Sequence, residues 1–132
     1  MPVHDFFIPR SVFYGPGALA RLGTEAARLG RKALVVTGSA SLRGSGGLGR
    51  VLGGLRENGV AALLFEGVEA DPSTETVDRG TKEALAAGCD MVVAVGGGSA
   101  LDAGKAIAGM ATNGGAARDY LHGKEIERPP LP

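Results

Sequence analysis

The sequence predicts an α/β fold in which a doubly wound, mostly parallel sheet is flanked by helices. Short apolar runs alternate along the chain with longer stretches of helical periodicity. The apolar runs are too hydrophobic for a sheet with one wet face, so they indicate strands buried on both faces. Strands that alternate with helices run parallel and are joined by right-handed crossovers.

Three strand–helix units make up most of the chain. The predicted strands are residues 31–37, 60–65 and 90–95, and the helices that follow them are 47–58, 73–87 and 99–112. Residues 71–75 supply cap residues, a proline and an early acid for the second of these helices. The side chains predicted to share one face of that helix are Val77, Thr81, Ala84 and Leu85.

The segment before the first unit adds a candidate strand and a further helix. Residues 11–14 are a candidate strand, residues 15–17 a Gly-Pro-Gly turn, and residues 18–29 a helix. Residues 44–49 are glycine-rich and predict a flexible turn.

Composition excludes several classes of function. The chain has 132 residues, 44% of them hydrophobic, which predicts one domain or a part of a larger protein. Its 14 basic and 14 acidic residues balance and no basic run occurs, which argues against a nucleic-acid binder. No secretory signal is expected at the start of the chain, where an acidic residue and two prolines occur, and no membrane span is expected because the apolar runs are short. The single cysteine, Cys89, cannot form an internal disulfide, which predicts a reducing cytoplasm, and it is interpreted as a buried core residue.

A glycine cluster marks the candidate binding site. Gly96, Gly97 and Gly98 end the third predicted strand, at the sheet edge where ligands bind in open α/β folds. Without side chains there, a phosphate could reach the backbone N–H groups of the following helix. The alternative is a tight turn without a ligand. Ser99 is predicted as the N-cap of that helix with Asp102 as its capping-box partner.

Two common phosphate motifs do not fit this stretch. The dinucleotide pattern G-x-G-x-x-G fails because its last position is Leu101. The nucleoside triphosphate loop fails because Ser99 stands where a glycine is required and Ala106 where a hydroxyl is required. Lys105 is predicted to pair with Asp102 one turn earlier.

The pattern G-G-G-S-x-x-D-x-x-K does occur, from Gly96 to Lys105, and with other stretches it resembles the iron-containing alcohol dehydrogenases. The other stretches are residues 34–38, 65–68, 71–72, 89–90, 111–113 and 129–132. The resemblance implies an N-terminal domain that binds NAD or NADP, with Gly96, Gly97, Gly98 and Ser99 on the pyrophosphate. It also implies hydride transfer between the nicotinamide and an alcohol or aldehyde carbon, with a divalent metal, usually iron, polarising the substrate oxygen.

The same resemblance implies that parts of the enzyme lie outside this chain. In the family an all-helical domain follows and supplies an aspartate and histidines as metal ligands, and this domain is absent from residues 1–132. His4 and His122 are interpreted as solvated surface residues, and neither a catalytic nor a metal-binding residue is expected here. The chain is therefore expected to be a truncated NAD(P)-binding domain, inactive alone, of an enzyme that forms homo-oligomers when full length.

Two positions bear on the cofactor. Many NAD-preferring members carry aspartate at the position of Gly38, where it accepts a hydrogen bond from the ribose 2′-hydroxyl. With glycine there, and with Ser39, Ser41 and Arg43 nearby, NADP should be tolerated and preference leans toward NADP. The alternative is that Gly38 only makes a turn. Asp71, where the family often has asparagine, is expected to line the cofactor groove while keeping its cap role.

The sequence is compatible with three functions. The first is a metal-dependent alcohol or aldehyde oxidoreductase. The second is a related enzyme of the same superfold, such as a glycerol or polyol dehydrogenase or a dehydroquinate synthase. The third is a non-catalytic nucleotide-binding fragment. Ser99, Asp102 and Lys105 together favour the first, but the sequence fixes neither the alcohol nor the metal.

Overall fold

The sheet has three parallel strands, as the apolar runs predict. The computed structural model describes Val3, residues 9–38 and residues 41–132. Its strands are β1 (Lys32–Thr37), β2 (Ala61–Phe65) and β3 (Met91–Val95), arranged in the order β2-β1-β3. β1 pairs in parallel with both neighbours, so the first strand in the chain is the central one.

Helices cover both faces of the sheet, which confirms the predicted fold class. They are α1 (Leu22–Leu29), α2 (Ser41–Gly44), α3 (Gly47–Glu57), α4 (Thr74–Ala87), α5 (Gly98–Asn113) and α6 (Ala117–Leu121), with a 3₁₀ turn at Ala18–Arg21 before α1. Alternate side chains of β1 point to opposite faces. Ala33 and Val35 pack with residues of α1 and α3, whereas Leu34 and Val36 pack with residues of α4 and α5.

Glycines let α5 lie close to its neighbours. A Cβ on Gly104 would stand 2.6 Å from the Cβ of Ala94 in β3. A Cβ on Gly80 of α4 would collide with the side chain of Ile107, which is fully buried. These two contacts set how near α5 sits to the sheet and to α4, and they thereby position its N-terminus.

The two outer strands of the sheet are less buried than predicted. Residues 33–37 of β1 are all buried, but Ala61 and Ala62 of β2 are exposed. β2 and β3 are the outer strands among the described residues, so helices cover them only in part. The expectation of strands buried on both faces therefore holds fully for β1 alone.

The prediction of a strand at residues 11–14 is wrong. None of these residues joins the sheet, and Tyr14 is fully exposed. The Phe13 ring instead stacks against the guanidinium of Arg21. The guanidinium carbon of Arg21 lies 3.9 Å from the centroid of the Phe13 ring. The predicted helix at 18–29 is present, as the 3₁₀ turn followed by α1.

Three further differences concern helices. Leu85 is 55% exposed because it lies about 100° of helix rotation beyond Ala84, off the buried face of α4. The turn predicted at residues 44–49 is shorter in the structure, since α2 ends at Gly44 and α3 begins at Gly47. The short helix α6 was not predicted. It is held by a hydrogen bond from the Ala117 N–H to Asp78 Oδ1, 2.8 Å long.

Candidate functional site

The strand order places a switch point between β1 and β3. From β1 the chain proceeds to β2 on one side and returns through α4 to β3 on the other. In open parallel sheets, ligands bind outside the carboxyl ends of two strands that diverge in this way. Gly38 follows β1 and Gly96 follows β3, and a Cβ on Gly96 would lie 4.0 Å from the Gly38 nitrogen. The two turns therefore meet at one crevice.

The glycine turn is open to solvent. Gly96 has φ 147° and a Cβ there would stand 3.1 Å from the Cβ of Ala100, so this position needs glycine. Gly97 has ordinary extended dihedrals (φ −82°, ψ −171°) and precedes the first residue of α5, Gly98. A Cβ on either would meet no atom of the described residues within 4 Å. The fold itself does not need these two glycines for space, and a ligand can approach the backbone there.

The N-terminus of α5 has no side-chain cap. Gly97 is the N-cap because its extended dihedrals end the turn, so the expected N-cap role of Ser99 is wrong. Ser99 lies inside the first turn, where its Oγ accepts a hydrogen bond of 3.3 Å from the Asp71 N–H. The first-turn N–H groups of this helix of 16 residues therefore keep their capacity to bind an anion.

Asp102 makes no capping hydrogen bond among the residues that the structure describes. The predicted ion pair with Lys105 is present at 3.7 Å, and both side chains are mostly exposed. Such an exposed pair adds little stability. The carboxylate therefore remains near the glycine turn as a solvated charge.

Asp71 adopts a left-handed backbone conformation, with φ 51°. Among residues other than glycine, aspartate and asparagine tolerate this conformation best. The expectation that Asp71 keeps a cap role is wrong, because Ser73 caps α4 and its Oγ accepts from the Thr76 N–H at 3.2 Å. The Asp71 N–H instead ties this loop to Ser99, which brings two of the predicted site residues together.

Glu69 fixes the loop that carries Asp71, a role that sequence reasoning missed. Its carboxylate accepts hydrogen bonds from the Ser73 N–H at 2.8 Å and from the Thr76 hydroxyl at 2.7 Å. The Ser73 backbone bond and then the Thr76 bond lower the pKa of Glu69 to about 2. Its spacing of four residues before the capping serine is the sequence signal that could have revealed this anchor.

The end of β1 carries the predicted selectivity residues. Gly38 is half-buried, and its carbonyl accepts from the Gly67 N–H at 3.1 Å. Arg43 of α2 forms an ion pair with Glu66, the residue after β2. The sequence indicated Arg43 but not this partner. Ser39 lies outside the described residues, as does the side chain of Ser41.

A cleft of about 890 Å³ lies between α4, α5 and α6. Asp71 and Asp102 line it together with apolar side chains that include Val77, Met110 and Tyr120. This cleft was not predictable from the sequence, because one wall is α6, whose five residues are too few to show a helical periodicity.

The remaining chemically notable residues are structural or isolated. Cys89 is buried, and desolvation raises the pKa of its thiol, as expected for a core cysteine. His122 is exposed at the end of α6, and His4 lies outside the described residues. Within the described ranges, no three His, Cys, Asp or Glu side chains form a group that could hold a metal ion. In the same ranges, no helix is both long and apolar enough to cross a membrane.

Known proteins match nearly all of this chain. The family model "Iron-containing alcohol dehydrogenase" matches residues 9–132. The NADPH-dependent butanol dehydrogenase of Clostridium saccharobutylicum is 42% identical over 102 residues, 77% of this chain and 26% of that protein. The NAD-dependent methanol dehydrogenase of Bacillus methanolicus is 36% identical over 129 residues, 97% of this chain and 34% of that protein.

A solved structure shows the same fold. The NADH-dependent butanol dehydrogenase A of Thermotoga maritima superposes with a TM-score of 0.90 at 29% identity, over 98% of this chain and 33% of that one. The chain thus spans about a quarter to a third of the length of these three proteins.

Proposed function

Because the chain belongs to the iron-containing alcohol dehydrogenase family, we propose that residues 1–132 form the NAD(P)-binding domain of such an enzyme. The enzyme would transfer a hydride between the nicotinamide and a primary alcohol or aldehyde. The relatives named for butanol and methanol oxidation support this substrate class. They are about three times as long as this chain, so the proposed activity belongs to a longer protein.

One observation carries the proposal: the open glycine turn at the switch point. Gly97 and Gly98 leave free space above an uncapped helix N-terminus. A pyrophosphate fits this site because the first turn of the helix supplies N–H donors that no described side chain caps, together with a favourable dipole. The Ser99 hydroxyl, which accepts from Asp71, still has its own proton to donate to a phosphate oxygen.

The remaining residues orient the cofactor in this proposal. The bound nicotinamide supplies the hydride chemistry. Gly96 gives the turn its shape, Asp71 fixes Ser99, and Asp102 lines the cleft. The apolar walls of the cleft would exclude water from one side of the cofactor.

The metal ligands are proposed to lie outside this chain. The described residues offer no cluster of three ligand side chains, so no step is assigned to a metal here. Iron is the metal in the family's name. A single free cysteine fits the proposed cytoplasmic location, and a homo-oligomer is proposed for the longer protein.

NADP is proposed to be accepted at least as well as NAD. Gly38 offers no carboxylate to repel a 2′-phosphate, and Arg43 is a cation beside this strand end. The relatives named above include both NADPH- and NAD-dependent enzymes, so the family alone does not decide this.

The experiment replaces Gly97 by valine. Its dihedrals suit valine and its Cβ has free space, so the fold should persist while the branched side chain blocks the turn. Binding of NAD and NADP to the 132-residue chain, measured by isothermal titration calorimetry, should weaken at least tenfold, about 1.4 kcal/mol.

The control is Gly49→Val, an equally open glycine on α3, across the sheet from α5. It should bind as the parent does, and circular dichroism should show both variants folded. Unchanged cofactor affinity in folded Gly97→Val would place the pyrophosphate elsewhere and overturn the proposal.

A further inference from the structure

The ion pair of Arg43 and Glu66 lies beside the end of the central strand. Arg43 belongs to α2, which follows β1 and precedes β2 in the sequence. Glu66 is the residue immediately after β2. The next residue, Gly67, donates its N–H to the Gly38 carbonyl at 3.1 Å. Glu66 therefore stands one residue from a direct backbone contact with Gly38, at the carboxyl edge of the sheet.

The charges of Arg43 and Glu66 determine how strongly the carboxyl edge of the sheet can attract a phosphate group. Arg43 is the cation that a 2′-phosphate would need, but Glu66 already compensates its charge. The Glu66 carboxylate would also meet a phosphate as like charge against like charge. Both side chains are substantially exposed, at 63% for Arg43 and 41% for Glu66, so either remains accessible to a ligand.

We propose that Glu66 is a specificity-determining residue, because it restrains Arg43 and opposes a phosphate on the 2′ position of the adenosine ribose. In this role Glu66 limits the advantage that Arg43 gives to a 2′-phosphorylated cofactor, so that NADP is accepted without NAD being excluded. A 2′-phosphorylated cofactor must compete with Glu66 for Arg43, whereas a 2′-hydroxyl leaves the pair intact. This inference rests on the proposed function, since it assumes that the adenosine end of NAD(P) reaches Gly38.

The test compares two nucleotides that differ only by the phosphate in question, adenosine 2′,5′-bisphosphate and 5′-AMP. Their dissociation constants are measured by calorimetry on the 132-residue chain. Glu66→Gln should tighten binding of the bisphosphate at least threefold and change that of AMP less than twofold. Arg43→Gln should weaken the bisphosphate at least fivefold with the same small effect on AMP. The double variant should lose the gain of Glu66→Gln, because the released cation is then missing.

A matched control removes a comparable pair at the other end of the sheet. Glu25 pairs with Arg28 at 2.9 Å near the end of α1, which leads into the start of β1. Glu25→Gln changes the net charge by the same amount as Glu66→Gln and should leave both dissociation constants unchanged. Exposed ion pairs contribute little to stability, so all variants should stay folded by circular dichroism.

The outcomes separate this inference from the proposed function. A folded parent chain that binds neither nucleotide would overturn the proposed function and this inference with it. Binding of both nucleotides, with a ratio that Glu66→Gln leaves unchanged, would overturn the role of Glu66 alone. An equal gain in Glu25→Gln would also overturn it, because the effect would then reflect net charge.

Discussion

In the proposed NAD(P)-binding domain, Gly38 is the residue at which one missing side chain would bear most directly on cofactor choice. Its dihedrals are not left-handed, and among the described residues a Cβ would meet only the Val68 carbonyl, at an ordinary 3.6 Å. Gly38→Asp should therefore fold. Its carboxylate would accept from a 2′-hydroxyl and repel a 2′-phosphate, so the ratio of NADP to NAD dissociation constants should rise at least tenfold, about 1.4 kcal/mol.

Calorimetry with both cofactors checks this expectation, and Gly38→Asn is the matched neutral variant. The asparagine has the same shape without the charge, so it should shift the ratio much less. If the parent already rejects NADP strongly, or if Gly38→Asp leaves the ratio unchanged, Gly38 is only a turn residue.

Residue roles were predictable where chemistry alone sets them and not where the backbone decides. The open turn at Gly97 and Gly98 follows from glycine having no side chain, and the sequence predicted it. Ser99 was misassigned because its position relative to the cap depends on the dihedrals of Gly97, which sequence does not reveal. The partner of Arg43 was missed because Glu66 is 23 residues away in sequence.

Among the elements, α5 determines where the candidate site lies, and two of its glycines have opposite expected effects. An alanine at Gly104 would drive its Cβ against Ala94 at 2.6 Å, so overpacking should cost about 1–3 kcal/mol. At Gly109 the nearest atom would be 3.7 Å away, in Ile126. Gly109→Ala should therefore gain about 0.5–1 kcal/mol from better helix propensity.

Urea denaturation of both variants measures these free energies of unfolding. Because α5 would move with its packing, Gly104→Ala should also weaken NAD(P) binding, whereas Gly109→Ala should not. Equal stability of the two variants would show that α5 does not rest on β3 through Gly104.

Elements with strong periodicity were predictable, and those held by distant contacts were not. Three strands and the longer helices were predicted from apolar runs and cap residues. The helix α6 has only five residues and depends on Asp78, which lies 39 positions before Ala117. Residues 11–14 have the composition of a strand, yet they lack a partner strand among the described residues.

For the molecule as a whole, two carboxylates predict loss of stability in acid. Asp90 ties the start of β3 to β1 by accepting from the N–H groups of Lys32 and Arg31, both at 2.9 Å, and these bonds lower its pKa. The pKa of Glu69 is lowered to about 2 from an ordinary 4.5. Groups with a lowered folded-state pKa stabilise the fold above their unfolded pKa, and this contribution is lost as the pH falls toward the folded value.

The free energy of unfolding, from urea titrations, should therefore fall as the pH is lowered from about 5 toward about 2. Asp90→Asn and Glu69→Gln should each flatten this pH dependence, and the double variant should flatten it further. Glu83→Gln is the control, since Glu83 forms no ion pair or side-chain hydrogen bond among the described residues. A pH profile that both variants leave unchanged would contradict the assigned hydrogen bonds.

The central place of β1 has a consequence for how the chain is synthesised. β1 emerges from the ribosome before both of its partners, and its pairing with β2 completes only half of its hydrogen bonding. Its other edge stays open until β3 is made, since Asp90 at the start of β3 lies 58 positions after Lys32. During this interval the nascent chain exposes an apolar strand with a free edge, the kind of surface that promotes aggregation and attracts chaperones. The order of the strands thus makes completion of the binding crevice a late event in folding.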